Sequence, residues 1–190
     1  MLMKTRNRLI ICLAVIGVIA CLIVQGYIIP QNNYEKAQYI TQQQNPSTHD
    51  LNSILKYKNK YMGNISNLSN LFYNLPLNNL GISFRLFPDK LTAEVNYKEA
   101  VWRINESDEN KVNKALIYNS TAAFALIDNL EEIDYNFTGS SFKVKRADVE
   151  KWYGSNLSWL LTKDTWKNKV QDKLENYDFI KTCMGGMEIK

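Results

Sequence analysis

From Leu9 to Ile29 the chain is apolar and uncharged, interrupted only by Gln25, Gly26 and Tyr27 before Ile28 and Ile29. At about 1.5 Å of rise per residue, roughly 20 helical residues cover the ~30 Å hydrocarbon core of a bilayer. A helix on the surface of a soluble core would show a polar face, and this stretch has none. Lys4, Arg6 and Arg8 precede it with no acid among them. Under the positive-inside tendency they keep the N-terminus cytoplasmic and place everything after Pro30 on the far side of the cell membrane. Tyr27 sits where an interfacial aromatic belongs, and Pro30 is expected to end the helix. Residues 1–30 are therefore expected to be a cytoplasmic leader and an uncleaved single-pass transmembrane anchor.

A secretory signal has the same basic start and apolar middle, so cleavage is one alternative, although the small-x-small pattern it needs is poor here. Val18-Ile19-Ala20-Cys21 is the sharper rival, because it resembles a bacterial lipobox in which the cysteine takes the lipid. Leu22, Ile23 and Val24 continue the apolar run past Cys21, where lipoproteins normally turn polar. Anchor and lipobox both leave the domain attached to a membrane.

Residues 31–50, ending in Gln42-Gln43-Gln44-Asn45-Pro46-Ser47-Thr48, are polar and read as a flexible linker. About 140 residues remain, enough for one domain with one core. The formal charge of +4 resolves along the chain: Lys4, Arg6, Arg8 and Lys36, offset by Glu35, carry +3, leaving about +1 from Asp50 to Lys190. The basic balance is a targeting signal, and no nucleic-acid partner is expected. Cys12 and Cys21 lie in the apolar run, so Cys183 is the only thiol beyond it and no disulfide can form within the domain.

Leu51, Ile54 and Leu55 suggest a short helix, and Asn64 offers a cap for a second, through about Asn74, ended by Pro76. Ile82, Phe84 and Leu86 alternate with polar residues, and so do Leu91, Ala93, Val95 and Tyr97 after a Pro-Asp turn, which makes a hairpin. Ser107 to Asn110 supplies a cap and first-turn acids for a long helix carrying Val112, Ala115, Leu116, Ala123, Leu126, Ile127 and Leu130 at helical spacing. Ile133, Tyr135 and Phe137, then Phe142 and Val144 beyond Gly139, predict a second hairpin. Asp148 to Tyr153 forms a helical turn closed by Gly154, and Thr162 or Asp164 is expected to cap a last helix through about Tyr177. The fold class is α+β over residues 51–155, with a small, meander-like antiparallel sheet from two β-hairpins separated by a long helix and helices on one face. Residues 156–190 are expected to be a C-terminal helical extension.

The search for chemistry returns little. His49, the single histidine, falls in the linker, which removes His-based triads and His-rich metal sites from the domain. No cysteine pair stands at metal spacing and no Gly-rich loop follows a strand. Ser53-Ile54-Leu55-Lys56 matches the Ser-x-x-Lys of penicillin-binding enzymes, and Lys181-Thr182-Cys183 is a near miss of their third motif. The domain is too short for that fold. Asp128, Glu131, Glu132 and Asp134 make an acidic patch, and Lys143, Lys145 and Arg146 a basic face expected to pair with it across the hairpin. Of the four tryptophans, Trp102 and Trp152, with Tyr153, are the candidate contact surface. No catalytic residue, metal ligand or cofactor site is expected.

Tyr61-Met62-Gly63-Asn64, Leu75-Pro76-Leu77, the stretch Val112 to Leu130 and Val144-Lys145-Arg146-Ala147-Asp148-Val149-Glu150-Lys151-Trp152-Tyr153-Gly154 together resemble the bacterial domain of unknown function 4825 family, over about Leu51 to Gly154. The resemblance implies an extracytoplasmic, membrane-tethered domain of Firmicutes type, sometimes fused to membrane sensor peptidases, and it brings no catalytic residue. The expected function is a non-enzymatic binding, sensing or accessory domain acting on a ligand or an envelope protein. A small carboxylate-using envelope enzyme and a structural partner subunit of a membrane complex are the alternatives.

Overall fold

The computed structural model describes residues 2–105, 110–154 and 156–189. Ser107 to Glu109, the expected cap of the long helix, lies outside the described residues. The chain divides into two compact units, Met1–Thr41 and Gln42–Lys190.

In the first unit α1 spans Leu2–Ile23, a π-helical turn covers Val24–Ile28, and α2 begins at Ile29 and runs to Gln43. The helix expected to stop at Pro30 therefore continues through it. Proline lacks an N–H and its ring crowds the carbonyl four residues back. Just before Pro30 the ladder has slipped one residue, with the Ile29 N–H donating to Val24 O, and a π turn is a known way to absorb such a break. Among the described residues, the helix Cys12–Gln43 is long and apolar enough to cross a membrane, its most apolar 18-residue stretch having a mean hydropathy of 2.5 and none of that stretch being buried in protein. The flexible linker expected over residues 31–50 is likewise corrected. Its first part is helix, and Gln44 is tied into the second unit, donating to Asn78 Oδ1 (2.9 Å) and accepting the Leu77 N–H (3.2 Å).

The second unit opens with α3, Asn52–Leu55, and α4, Ile65–Phe72, which Asn64 caps by accepting the Asn67 N–H as expected. Strands β1, Ile82–Phe87, and β2, Thr92–Tyr97, form the first hairpin. After α5, Val101–Ile104, and α6, Lys111–Leu126, comes the second, β3 Glu132–Phe137 and β4 Ser140–Lys145, turned at Gly139 with φ +84°. The sheet is mostly antiparallel and continuous in the order β1-β2-β3-β4-β5, the last strand being the short Glu188–Ile189. The expected meander is corrected at its centre, where β2 and β3 run parallel from Thr92↔Glu132 to Asn96↔Asn136. A parallel neighbour needs a long return connection, and α6 supplies it. Leu91, held at φ +51°, aims its carbonyl at the N–H groups of Glu131 (2.9 Å) and Glu132 (3.2 Å), which fixes the start of that pairing.

Alternation decides the two faces of the sheet. Ala93, Val95, Tyr97, Ile133, Tyr135, Phe137, Phe142 and Val144 are buried. The other face carries polar ladders: Arg85 with Glu94 (3.7 Å), Asn136 with Asn96 (2.8 Å), and Lys143 with Glu132 and Asp134. Behind the apolar face lies α6, buried without interruption from Ala115 to Leu126. Its small residues, Ser120, Thr121, Ala122, Ala123 and Ala125, let neighbours approach on every side, and Ser120 hydrogen-bonds the Tyr135 hydroxyl (3.1 Å).

The other side of α6 is covered by α7, Arg146–Tyr153, and by the C-terminal segment. The last helix expected through Tyr177 is broken into pieces. Thr162 caps α8, Lys163–Trp166, as expected, but a π turn at Lys167–Gln171 and a 3-10 turn at Asp172–Glu175 follow. Asn176 caps α9, Tyr177–Gly185, and β5, Glu188–Ile189, pairs with β4. The irregular stretch keeps Trp166, Val170, Gln171 and Leu174 all buried. Residues 156–190 are thus corrected from an extension to a wall of the core.

Candidate functional site

The residue most at odds with the sequence reading is His49, which is 2% exposed rather than part of a solvated linker. Local chemistry brings it in. Asn45 starts a turn, its side chain accepting the Ser47 N–H (3.0 Å) and its carbonyl the N–H groups of Thr48 (3.1 Å) and His49 (2.9 Å). Gln171, itself buried, then clamps the turn by donating to Pro46 O (3.0 Å) and His49 O (2.9 Å).

Both ring nitrogens of His49 are engaged. Nε2 lies 2.6 Å from Asn74 O and Nδ1 lies 2.8 Å from the Tyr118 hydroxyl. A carbonyl only accepts, so Nε2 carries the proton and Nδ1 accepts from Tyr118 Oη. The Trp166 indole N–H donates to the same hydroxyl (3.1 Å), giving one chain of donors and acceptors through three rings. Their packing is edge-on, 5.2 Å between the His49 and Tyr118 centroids and 5.3 Å between Tyr118 and Trp166. Burial lowers the His49 pKa below its ordinary value, against the opposing pull of Asn74 O and Asp50, and burial also raises the Tyr118 hydroxyl. The array is therefore neutral at physiological pH. His49 and Trp166 line a cleft of ≈ 500 Å³ that also takes in Asp50, Lys163, Asp164 and Lys167. Because the one lone pair of His49 is already bonded and its ring is buried, the geometry suits holding a segment in place better than moving a proton to a substrate.

The residues singled out as a contact surface do not share one. Trp102, on α5, is 67% exposed with the Arg103 guanidinium 5.8 Å from its ring. Trp152, on α7, lines a separate cleft of ≈ 360 Å³ with Lys173, Phe179 and Cys183. Tyr153 is corrected outright: it is buried against Phe179 (5.8 Å between centroids), with the Lys173 ammonium 5.6 Å from its ring. Cys21 is an exposed position within the uninterrupted α1. Ser53 and Thr182 serve local backbone, donating to Asp50 O (2.7 Å) and Asp178 O (2.8 Å), and burial pushes the Cys183 thiol up to about 12. Among the described residues, no three His, Cys, Asp or Glu side chains are grouped to hold a metal ion.

The acidic patch and basic face do meet. Lys143 bridges Glu132 and Asp134, and Arg146 Nε lies 3.7 Å from Glu131. Arg146 does more, donating to Leu130 O (2.8 Å) and Ile127 O (2.6 Å) at the C-terminal end of α6, over the Phe124 ring. A cation there also faces the negative end of the helix. Arg146→Met is expected to lower the unfolding free energy by about 2–3 kcal/mol, since two carbonyls lose a charged donor, and urea titration measures it.

No curated protein and no solved structure matches the chain. The sequence model of one family, described as Domain of unknown function (DUF4825), matches residues 54–146, from α3 to the end of the second hairpin. Through that stretch the chain belongs to the domain of unknown function (DUF4825) family.

Proposed function

We propose that this is a single-pass membrane protein, with its N-terminus cytoplasmic and its folded unit outside the cell. That unit is a non-enzymatic domain that binds or senses a ligand or an envelope protein. The observation that carries the reading is the helix Cys12–Gln43, whose apolar stretch is not buried anywhere in the protein. Side chains of this kind gain their burial from lipid. Lys4, Arg6 and Arg8 at its start supply the orientation. The apolar run continues past Cys21 through Leu22, Ile23 and Val24, and the small-x-small pattern for cleavage is poor, which favours retention of the anchor over processing within it. For the domain, the support is that its lone histidine is committed to holding the fold together.

The test is alkaline carbonate extraction of membranes from cells expressing a C-terminally tagged chain, with protease added to intact spheroplasts and intact-mass analysis. The anchor reading expects a full-length chain that stays in the pellet, a tag that protease removes, and no change with Cys21→Ala. A mature chain beginning at Cys21, or one released to the medium, overturns it.

A further inference from the structure

We infer that the His49–Tyr118–Trp166 array is a proton-sensitive latch, in which a proton taken up on His49 releases the Pro46–Asp50 segment from α6 and from the Lys163–Gln171 stretch. The inference concerns the folded unit alone and does not rest on the membrane reading.

The three rings satisfy one another in only one protonation state. With His49 neutral, Asn74 O takes the Nε2 proton, Nδ1 takes the Tyr118 proton, and the Tyr118 oxygen takes the Trp166 N–H. A proton on Nδ1 turns that nitrogen into a donor. The Tyr118 oxygen then faces N–H groups from both His49 and Trp166, and its own proton loses its acceptor. Tyr118 and Trp166 are 0% and 1% exposed, so water does not replace the lost partner while the segment stays in place. Opening the segment solvates the imidazolium and removes the conflict.

The surrounding charges do not relieve it. Asp50 lies on the same segment, and its attraction is outweighed by desolvation of the ring. The Lys163–Gln171 stretch contributes Lys163, Asp164 and Lys167 at the cleft, with Lys167 paired to Asp172. From α6, Lys114 lies 3.7 Å from Glu175, whose other oxygen accepts from Ser47 (2.5 Å). Beyond α4, Asn74 brings only its carbonyl to the ring, while its side chain donates to Tyr57 (2.9 Å). None of these groups offers an acceptor for the stranded Tyr118 proton.

The sign follows from linkage. The closed segment binds a proton more weakly than the open one, where His49 has its ordinary value of about 6.5. The latch is therefore fully held above about pH 6.5 and loosens as pH falls below it, its opening constant rising about tenfold per pH unit while the closed form stays unprotonated.

The test is hydrogen exchange of the full-length chain in detergent between pH 7.5 and 5, corrected for intrinsic rates, read at the amides of Thr48 and His49. Both N–H groups donate to Asn45 O in the closed form. Protection there is expected to fall close to tenfold per unit below about pH 6.5, with β2 and β3 unchanged, and to be flat in His49→Gln. Should His49→Gln fail to fold, Tyr118→Phe serves instead. It removes the opposing hydroxyl, so the closed form takes up the proton more readily, and the fall, still beginning at about pH 6.5, is expected to level off at higher pH and to be shallower overall than in the wild type. Flat protection in the wild type, a fall shared equally by β2 and β3, an unchanged slope in His49→Gln, or a fall in Tyr118→Phe as deep as in the wild type overturns the latch.

Discussion

A chain ended at Gly154 is expected to lose its cooperative unfolding transition altogether. The family match stops at residue 146, so such a truncation looks harmless by sequence. The structure argues the reverse. Leu157, Leu160, Trp166, Val170, Leu174, Ile180 and Met187 are all buried, against α6 and its neighbours. Burying a large apolar side chain contributes about 1.5–3 kcal/mol, so losing these seven removes about 10–20 kcal/mol, as much as or more than the roughly 5–15 kcal/mol by which a domain is normally stable. Truncation would also open both sides of the Tyr118 hydroxyl by removing Trp166 and the Gln171 clamp. Thermal melting followed by far-ultraviolet circular dichroism checks it. A sigmoidal transition within a few degrees of the full chain would show that the C-terminal wall is dispensable.

The second large effect is on the sheet. Val95→Asp is expected to yield insoluble or unfolded protein, whereas Glu94→Val, one residue away, changes stability by less than about 1 kcal/mol. Val95 is fully buried and pairs with Phe84 on one side and Tyr135 on the other, so an aspartate there loses its hydration with no partner. Glu94 points to the polar face and loses only a 3.7 Å contact with the exposed Arg85. Soluble expression and urea midpoints of the two variants settle the comparison. Equal tolerance at both positions would contradict a sheet covered on one face only.

Period and capping were the legible part of this chain. The alternation at Ile82 to Leu86 and at Ile133 to Phe137, the long helix, and the caps at Asn64 and Thr162 are written in neighbouring residues, and all appear in the structure. What depended on distant residues was not legible. His49 is buried because Asn74, Tyr118 and Trp166 converge on it, and nothing in Ser47-Thr48-His49-Asp50 announces those partners. The run Leu51 to Leu55 directly after it was the available signal that the core begins there. The parallel pairing of β2 and β3 was implicit in strand, long helix, strand, and the two hairpins drew attention away from it. Pro30 read as a stop because the π turn that accommodates it leaves no trace in composition. Trp152 and Tyr153 are adjacent, yet they face differently because α7 turns one ring to a cleft and the other to the core.

The parallel join also sets the order of assembly. Each hairpin closes over a short turn and can form early, but neither buries its apolar face without α6. Thr92 meets Glu132 only after the whole connecting helix has folded back, so the step that completes the sheet also closes the core. Half of this domain is consequently not a smaller version of it. Either hairpin alone, separated by proteolysis or stalled synthesis, leaves an unpaired strand edge and an apolar face open to aggregation.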